Sequence, residues 1–344
     1  MRRATYDRAV PEWGRGPLCF SGRINLDSIL ITGGTGSLGQ ALARYLLTLP
    51  ISRLAILSRD EWKQAQQAAT LTDPRVRWFL GDVRDRPRLE QAFMGVDCVI
   101  HAAALKRVDA IAHDPAEVKK TNIDGTENVI WAAMRASVAK VMLISSDKAV
   151  QPTNFYGTTK MAAEWLAVMG NTYTYPQGTR CAVVRYGNVL GSRGSVLGLW
   201  RDCIAAGKPI PITDPTCSRF WITMDQAVRF VWRAMERMEG GEIFLPELRG
   251  SRLPVLAEAL APGHPTEIVG LRPGGEKLHE SLVNPEEATR TAAHEDGFTI
   301  APSLTPWRPA VPLSHWGDPL PQDWVYQSDI VGQLTVPELR ALLE

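Results

Sequence analysis

Short apolar runs recur along the first half of the chain, separated by longer stretches in which apolar residues return every third or fourth position. The runs are SILIT (28–32), RLAIL (53–57), VRWFL (76–80), DCVIH (97–101), KVMLIS (140–145) and RCAVVRYG (180–187). Several are rich in β-branched residues and read as buried strands. The stretches near 38–49, 60–69, 87–94, 115–136 and 157–170 read as amphipathic helices. Strand and helix alternating at this spacing predict parallel strands joined by right-handed crossovers, a doubly wound α/β sheet. After Gly187 the pattern loosens: helices near 196–206 and 223–238 lie among Pro-containing loops, and 301–321 is Pro-rich with Trp307 and Trp316. There is no internal repeat. The expected organisation is an extension over 1–27, a dinucleotide-binding domain over 28–187, and a smaller lobe over 188–344. That lobe is expected to close over the sheet edge without a separate core.

Composition narrows the classes. In 344 residues, 38 basic and 37 acidic side chains leave a net charge of +1, so no global basic field favours nucleic acid. Cys19, Cys98, Cys181, Cys203 and Cys217 are odd in number and lack C-x-x-C spacing. That opposes a disulfide framework or zinc site and suits a reducing cytoplasm. The histidines show no i, i+4 pair, so no structural metal is expected. No apolar run reaches the length of a membrane span. Residues 1–27 begin basic but contain no apolar signal-peptide core. An ordered arm, a flexible extension and an early start codon all remain open for them.

The first strand runs into TGGTGSLG (32–39), which opens the first helix. Gly33, Gly36 and Gly39, with Thr35, Ser37 and Leu38 between them, have the spacing of a dinucleotide turn. Small residues allow the tight turn, close approach of a pyrophosphate and close helix–strand packing. The helix N-terminus adds N–H donors and positive potential. The second strand ends in Ser58-Arg59 rather than an acid, and an arginine there pairs with a 2′-phosphate, which selects NADP. Asp82, followed by Val83, is expected near the adenine amine. Ala102 and Ala103 after the fourth strand leave room for the cofactor backbone, while His101 reads as a packed histidine.

Tyr156 and Lys160 share one helix face. The lysine charge is expected to lower the tyrosine pKa and hold the nicotinamide ribose, so that the phenolate takes a hydroxyl proton. Ser146 ends the preceding strand and can hydrogen-bond the same oxygen. Oxidising an alcohol needs nothing more, which leaves the adjacent Asp147-Lys148 to be explained.

The stretches ITGGTGSLG, SRDE, GDVRD, HAAALK, KTNIDGTENV, SSDKA, NFYGTTK, RYGNVLGSRGSV, PITD, SRFWIT, GGEIFLP and GEKLHE occur in order from about Ile31 to Glu280, with an echo in VYQSD. Together they resemble an extended short-chain dehydrogenase/reductase with a Rossmann-type sheet. Within it they are similar to the inverting UDP-N-acetylglucosamine 4,6-dehydratases of pseudaminic acid synthesis and their capsule-polysaccharide relatives. The resemblance implies that C4 oxidation acidifies the C5 proton, that Lys148 removes it, and that Asp147 protonates the departing C6 hydroxyl. Hydride then returns to C6, giving UDP-2-acetamido-2,6-dideoxy-β-L-arabino-hexos-4-ulose. Relatives that keep the C5 configuration carry Asp-Glu at this pair, and 4-epimerases carry small hydroxyl residues. A base must be neutral, so the pKa of Lys148 is expected to be lowered.

The resemblance also implies cofactor contacts from Asn122 and Lys106, the latter reaching substrate too. Asn188, Arg219 and Arg272 are the implied contacts of the nucleotide diphosphate, Arg193 and Ser195 lie in the segment implied near the uracil or the diphosphate, and Glu276 is a ribose or structural contact. Relatives read R-P-G-E-K where this chain has Gly274-Gly275, one residue more, which is expected to shift Arg272 or Glu276. The family forms dimers through paired helices and sometimes hexamers, so a homo-oligomer is expected, with the helices carrying Trp131 and Trp165 as its interface. The alternatives are a 4-epimerase, a retaining dehydratase, a dehydratase for a variant secondary-metabolite sugar, and a non-catalytic NADP-sensing protein. Asp147-Lys148 opposes the first two, and the intact Tyr156–Lys160 pair opposes the last.

Overall fold

The computed structural model describes residues 26–106, 113–173, 178–307 and 310–344. The extension over 1–25, with Cys19, lies outside the described residues. The six apolar runs form β1 (Ser28–Thr32), β2 (Arg53–Ser58), β3 (Val76–Leu80), β4 (Cys98–His101), β5 (Lys140–Ser146) and β6 (Arg180–Tyr186). All pair in parallel in the order β6-β5-β4-β1-β2-β3. β1 is buried along its whole length and β3, at the edge, only in part. This is the expected reason for continuous apolar runs inside and a mixed one outside.

The sheet does not stop at residue 187. Ile243–Pro246 continues it in parallel beside β6, and Gly297–Ile300, Thr291–His294 and Asp318–Pro319 extend it antiparallel. A ten-stranded sheet therefore takes strands from both halves of the chain. The rest of the second half does have a core of its own, contrary to the expectation. Trp200, Trp221, Leu256 and Leu339 are buried together there, between the helices Val196–Ala205, Leu253–Leu260 and Val336–Leu343.

Helices flank the sheet close to their expected positions. The stretch expected as one helix over 115–136 is interrupted by a π-turn at Lys120–Asp124. The Phe155–Gly170 helix starts where the Asn154 side chain accepts from the Gly157 N–H at 2.9 Å, a cap that fixes its first turn. Its Tyr156, Lys160, Ala163, Glu164 and Ala167 face inward. Behind them, Arg185 on β6 pairs with Glu164 at 2.6 Å and with Glu287 at 2.9 Å, all three buried. Among the described residues no helix is long and apolar enough to cross a membrane.

Candidate active site

The C-terminal ends of the parallel strands open into a cavity of about 1500 Å³ roofed by the second lobe, the position at which doubly wound sheets take ligands. One wall is the turn after β1. A Cβ on Gly33, whose φ is +67°, would stand 2.8 Å from the Ala103 backbone, and one on Gly39 would stand 2.5 Å from the Gly34 Cα. Two chain segments thus approach as only glycine permits. The Ser37–Leu46 helix that follows carries no side-chain cap, so the N–H groups of its first turn face the cavity unclaimed. Thr35, Ser37 and Leu38 line this wall, and Ala102, Ala103 and Lys106 line the opposite strand end. The cradle fits a dinucleotide pyrophosphate.

Farther along, the Ser58 hydroxyl accepts from Gln64 at 3.0 Å. The Asp60 carboxylate caps its own helix through the Lys63 N–H at 3.0 Å and pairs with the Lys63 ammonium. The acid nearest the end of β2 is therefore occupied. Arg59 is half exposed, with Asp82 at 3.9 Å as its ion-pair partner. Asp82 itself is bound to Arg84 at 2.7 Å, and Val83 lies buried beside it.

One expected cofactor contact is placed differently, and His101 is packed as expected. Asn122 does not line the cavity: its side chain accepts from the Leu105 N–H at 2.8 Å and donates to the Leu105 carbonyl and the Thr159 hydroxyl. It ties the 102–106 segment to the catalytic helix. His101 is sandwiched between the Thr32 and Thr126 hydroxyls, and burial pushes its pKa down to about 3.

At the centre stand Ser146, Asp147, Lys148, Tyr156 and Lys160. Ser146 accepts from the Lys148 N–H, closing a single 3₁₀ turn that projects Asp147 and Lys148 from the end of β5. Burial raises the Tyr156 pKa. Lys148 and a hydrogen bond with Ser146 act against that rise, and Asp147 adds to it. Lys160 does not supply the expected lowering. Its ammonium donates to the Ile144 carbonyl at 2.6 Å, and burial, opposed in part by Glu164, lowers its pKa to about 8.

The expectation for Lys148 also fails. Burial favours the free amine, but Asp147 at 2.9 Å and Glu280 at 3.4 Å outweigh it, and the pKa is raised. Asp147 is wholly buried. Desolvation raises its pKa against the pull of Lys148, and Glu280 adds to the rise. The pair is thus a carboxyl group that burial makes a weaker acid, set against an ammonium whose charge two carboxylates favour.

The nucleotide-sugar side is organised by Glu276. Its Oε1 accepts from Arg219 at 2.8 Å and from Arg272 at 2.7 Å, and its Oε2 from the Arg272 N–H. Arg219 is buried and also donates to the Ser218 and Leu278 carbonyls. Arg272 is largely exposed and keeps donors for a phosphate. The added glycine has a visible use: the Gly275 carbonyl accepts from the Thr153 hydroxyl at 2.6 Å and from Asn154 at 3.3 Å. It docks the arginine loop onto the start of the catalytic helix. Asn188 accepts from Lys148 at 3.4 Å, and the buried Ser195 hydroxyl lines the cavity with no hydrogen-bond partner among the described residues. Arg193 lines the cavity beside Ser195. Its backbone N–H donates to the Ser37 hydroxyl at 3.0 Å, against the cofactor turn. Glu280 and Lys277 were given no role by the sequence although both line the same cavity.

The family model for "Polysaccharide biosynthesis protein" matches residues 29–302. An inverting UDP-N-acetylglucosamine 4,6-dehydratase of Campylobacter jejuni is 45% identical over 282 residues, covering 81% of this chain and 84% of that protein. A UDP-glucose 4-epimerase of Rickettsia conorii is 40% identical over 281 residues, covering 79% and 82%. The X-ray structure of Pen from Bacillus thuringiensis superposes with a TM-score of 0.85 at 32% identity, covering 94% of this chain and 98% of that one. DesIV, a dTDP-glucose 4,6-dehydratase of Streptomyces venezuelae solved with NAD and TYD, shares the fold at a TM-score of 0.68 and 22% identity, covering 84% and 94%. With the glycine turn, the serine–tyrosine–lysine set and the Asp-Lys pair on one strand-end cavity, these likenesses agree: the chain belongs to the polysaccharide biosynthesis protein family, within the extended short-chain dehydrogenase/reductase superfamily.

Proposed function

We propose that this protein is an NADP-dependent UDP-N-acetylglucosamine 4,6-dehydratase that inverts C5. The observation that carries the reading is the Asp147–Lys148 contact inside the cavity that also holds Tyr156 and Lys160. A 4-epimerase needs only the second pair, so an acid and an amine joined to it imply elimination of water.

The nicotinamide, when bound, accepts hydride from C4 of the sugar and gives it back at C6. The rest is done by side chains. Tyr156 takes the C4 hydroxyl proton with Ser146 on the same oxygen, and Lys160 holds the nicotinamide ribose. The ketone so formed acidifies C5, Lys148 removes that proton, and Asp147, whose burial favours its protonated form, protonates the C6 oxygen as it leaves as water. Thr35, Ser37, Leu38 and Gly39 offer backbone N–H groups to the pyrophosphate. Arg59, half exposed while the neighbouring Asp60 is engaged by Lys63, supports NADP over NAD. Arg219 and Arg272, aligned by Glu276, would clamp the UDP diphosphate, with Asn188 and Ser195 beside them. Arg193, resting on Ser37, supports a role toward the cofactor rather than the sugar. A homo-oligomer through the Gly125–Arg135 and Phe155–Gly170 helices is supported by the exposed Trp165 and Tyr173 on that side.

Incubation with UDP-N-acetylglucosamine, NADP and no reductant tests the reading. Mass spectrometry should show a product lighter by one water, with no net NADPH formed. An unchanged mass with epimerised C4 would favour the epimerase seen among the relatives.

A further inference from the structure

Glu280 is buried at 3% exposure in the wall of the cavity. Its Oε1 lies 3.4 Å from the Lys148 ammonium. Its Oε2 makes no hydrogen bond among the described residues, and Lys277, 3.5 Å from it, already donates to the Val150 carbonyl at 2.6 Å. Leaving a buried carboxylate oxygen without a hydrogen bond is costly, yet the backbone here is held on both sides. The Glu280 N–H donates to the Ser328 hydroxyl at 3.0 Å, and the Ser328 N–H donates to the Glu280 carbonyl at 2.9 Å. The chain is fixed so that this carboxylate meets Lys148.

The dehydration needs two things from this corner that one carboxylate cannot supply. Asp147 must keep its proton for the departing C6 oxygen, whereas Lys148 must lose one to become a base. The groups facing Lys148 are Asp147, Glu280, Asn188, Arg219, Lys106 and Tyr156. Apart from Asp147, Glu280 is the carboxylate among them.

We propose that Glu280 is a positioning residue for Lys148 that holds it as an ammonium at rest and receives its proton once the oxidised sugar is in place, so that the amine is free when C5 is deprotonated; this rests on the dehydratase reading above. The Nζ–H bond breaks and an O–H bond forms on Glu280. The amine lone pair then takes the C5 proton, while the C5–H electrons form the C5–C6 double bond and the C6–O bond breaks, its oxygen leaving as water with the Asp147 proton. Lys148 and Glu280 now hold one proton more than at the start. That proton is delivered to C5 as hydride returns to C6, the proton Tyr156 took from the C4 hydroxyl returns to Asp147, and an ammonium beside a carboxylate is restored.

The test compares wild type, Glu280→Gln and Glu280→Asp, each with NADP and UDP-N-acetylglucosamine in deuterated water. Transient absorbance of reduced cofactor reports C4 oxidation, and deuterium entering C5 reports the lysine step, both across a pH series. Glu280→Gln should keep C4 oxidation within about threefold of wild type, which also shows that it is folded. Its C5 exchange and kcat should fall at least about 100-fold at every pH, with KM little changed and partial recovery in Glu280→Asp. A passive neighbour has the opposite signature: losing an anion lowers the lysine's pKa, so Glu280→Gln would exchange C5 as fast or faster and extend activity to lower pH. That outcome overturns the proposal alone. A wild type giving neither signal overturns the dehydratase reading and the proposal together.

Discussion

Replacing Gly275 by alanine should loosen the whole nucleotide-sugar side of the cavity. The φ of Gly275 is +90°, and a Cβ there would collide with the Thr153 carbonyl. The left-handed conformation costs a side chain about 1–2 kcal/mol. The collision must also separate the Gly275 carbonyl from the Thr153 hydroxyl, now at 2.6 Å, a loss of about 1 kcal/mol. The sum, about 2–3 kcal/mol, falls on the docking of the loop that carries Arg272 and Glu276. At about 1.4 kcal/mol per decade, UDP binding by titration calorimetry should weaken roughly 30- to 150-fold. Gly263→Ala is the control, because its φ is +68° but a Cβ there meets nothing within 4 Å. It should lose a similar conformational energy from global stability and leave UDP binding unchanged. Equal UDP affinity in Gly275→Ala and wild type would refute the docking argument, as would equal weakening in Gly263→Ala.

Arg59→Ala should weaken NADP binding at least about tenfold while leaving NAD within about twofold, since a charge-assisted contact is worth about 1.5–3 kcal/mol; an unchanged NADP-to-NAD ratio would remove Arg59 from cofactor selection. Glu164→Gln leaves Arg185 with Glu287 alone in a buried site, and denaturant titration should show a loss of about 3–5 kcal/mol. Lys160, with a pKa of about 8 against an ordinary 10.5, binds fewer protons folded than unfolded between those values. Its burial therefore weakens the fold below pH 8 and is relieved as pH rises toward 10.5, by up to about 3 kcal/mol. Lys160→Met should abolish that part of the pH dependence of unfolding; an identical slope would show that the ammonium is not desolvated as described.

The parallel half of the sheet was legible because its strands are buried on both faces and therefore read as unbroken apolar runs. The cofactor turn was legible for a related reason, since the spacing of Gly33, Gly36 and Gly39 is dictated by backbone collisions within a few residues. What the sequence hid depends on contacts between distant segments. The strands Thr291–His294 and Gly297–Ile300 are short, and only their pairing with Ile243–Pro246 makes them part of the main sheet. Asn122 reads as polar and available, but the Leu105 backbone, 17 residues away, engages it fully. The charge of Lys148 is set by Asp147 next to it and also by Glu280, 132 residues on, so no local motif alone could have fixed it. Glu280 closes GEKLHE and Ser328 lies in VYQSD; both runs could be seen, but not their contact.

The central claim is that Tyr156, Asp147 and Lys148 act in succession on one nucleotide sugar. It is tested most directly by proton NMR of UDP-N-acetylglucosamine incubated with the protein and NADP in deuterated water, without external reductant. The expected product is a 4-keto-6-deoxy sugar carrying deuterium at C5, with the ring couplings of the L-arabino configuration. The same product with its original C5 configuration would contradict the role given to Lys148, and unchanged substrate would contradict the assignment of this sugar nucleotide.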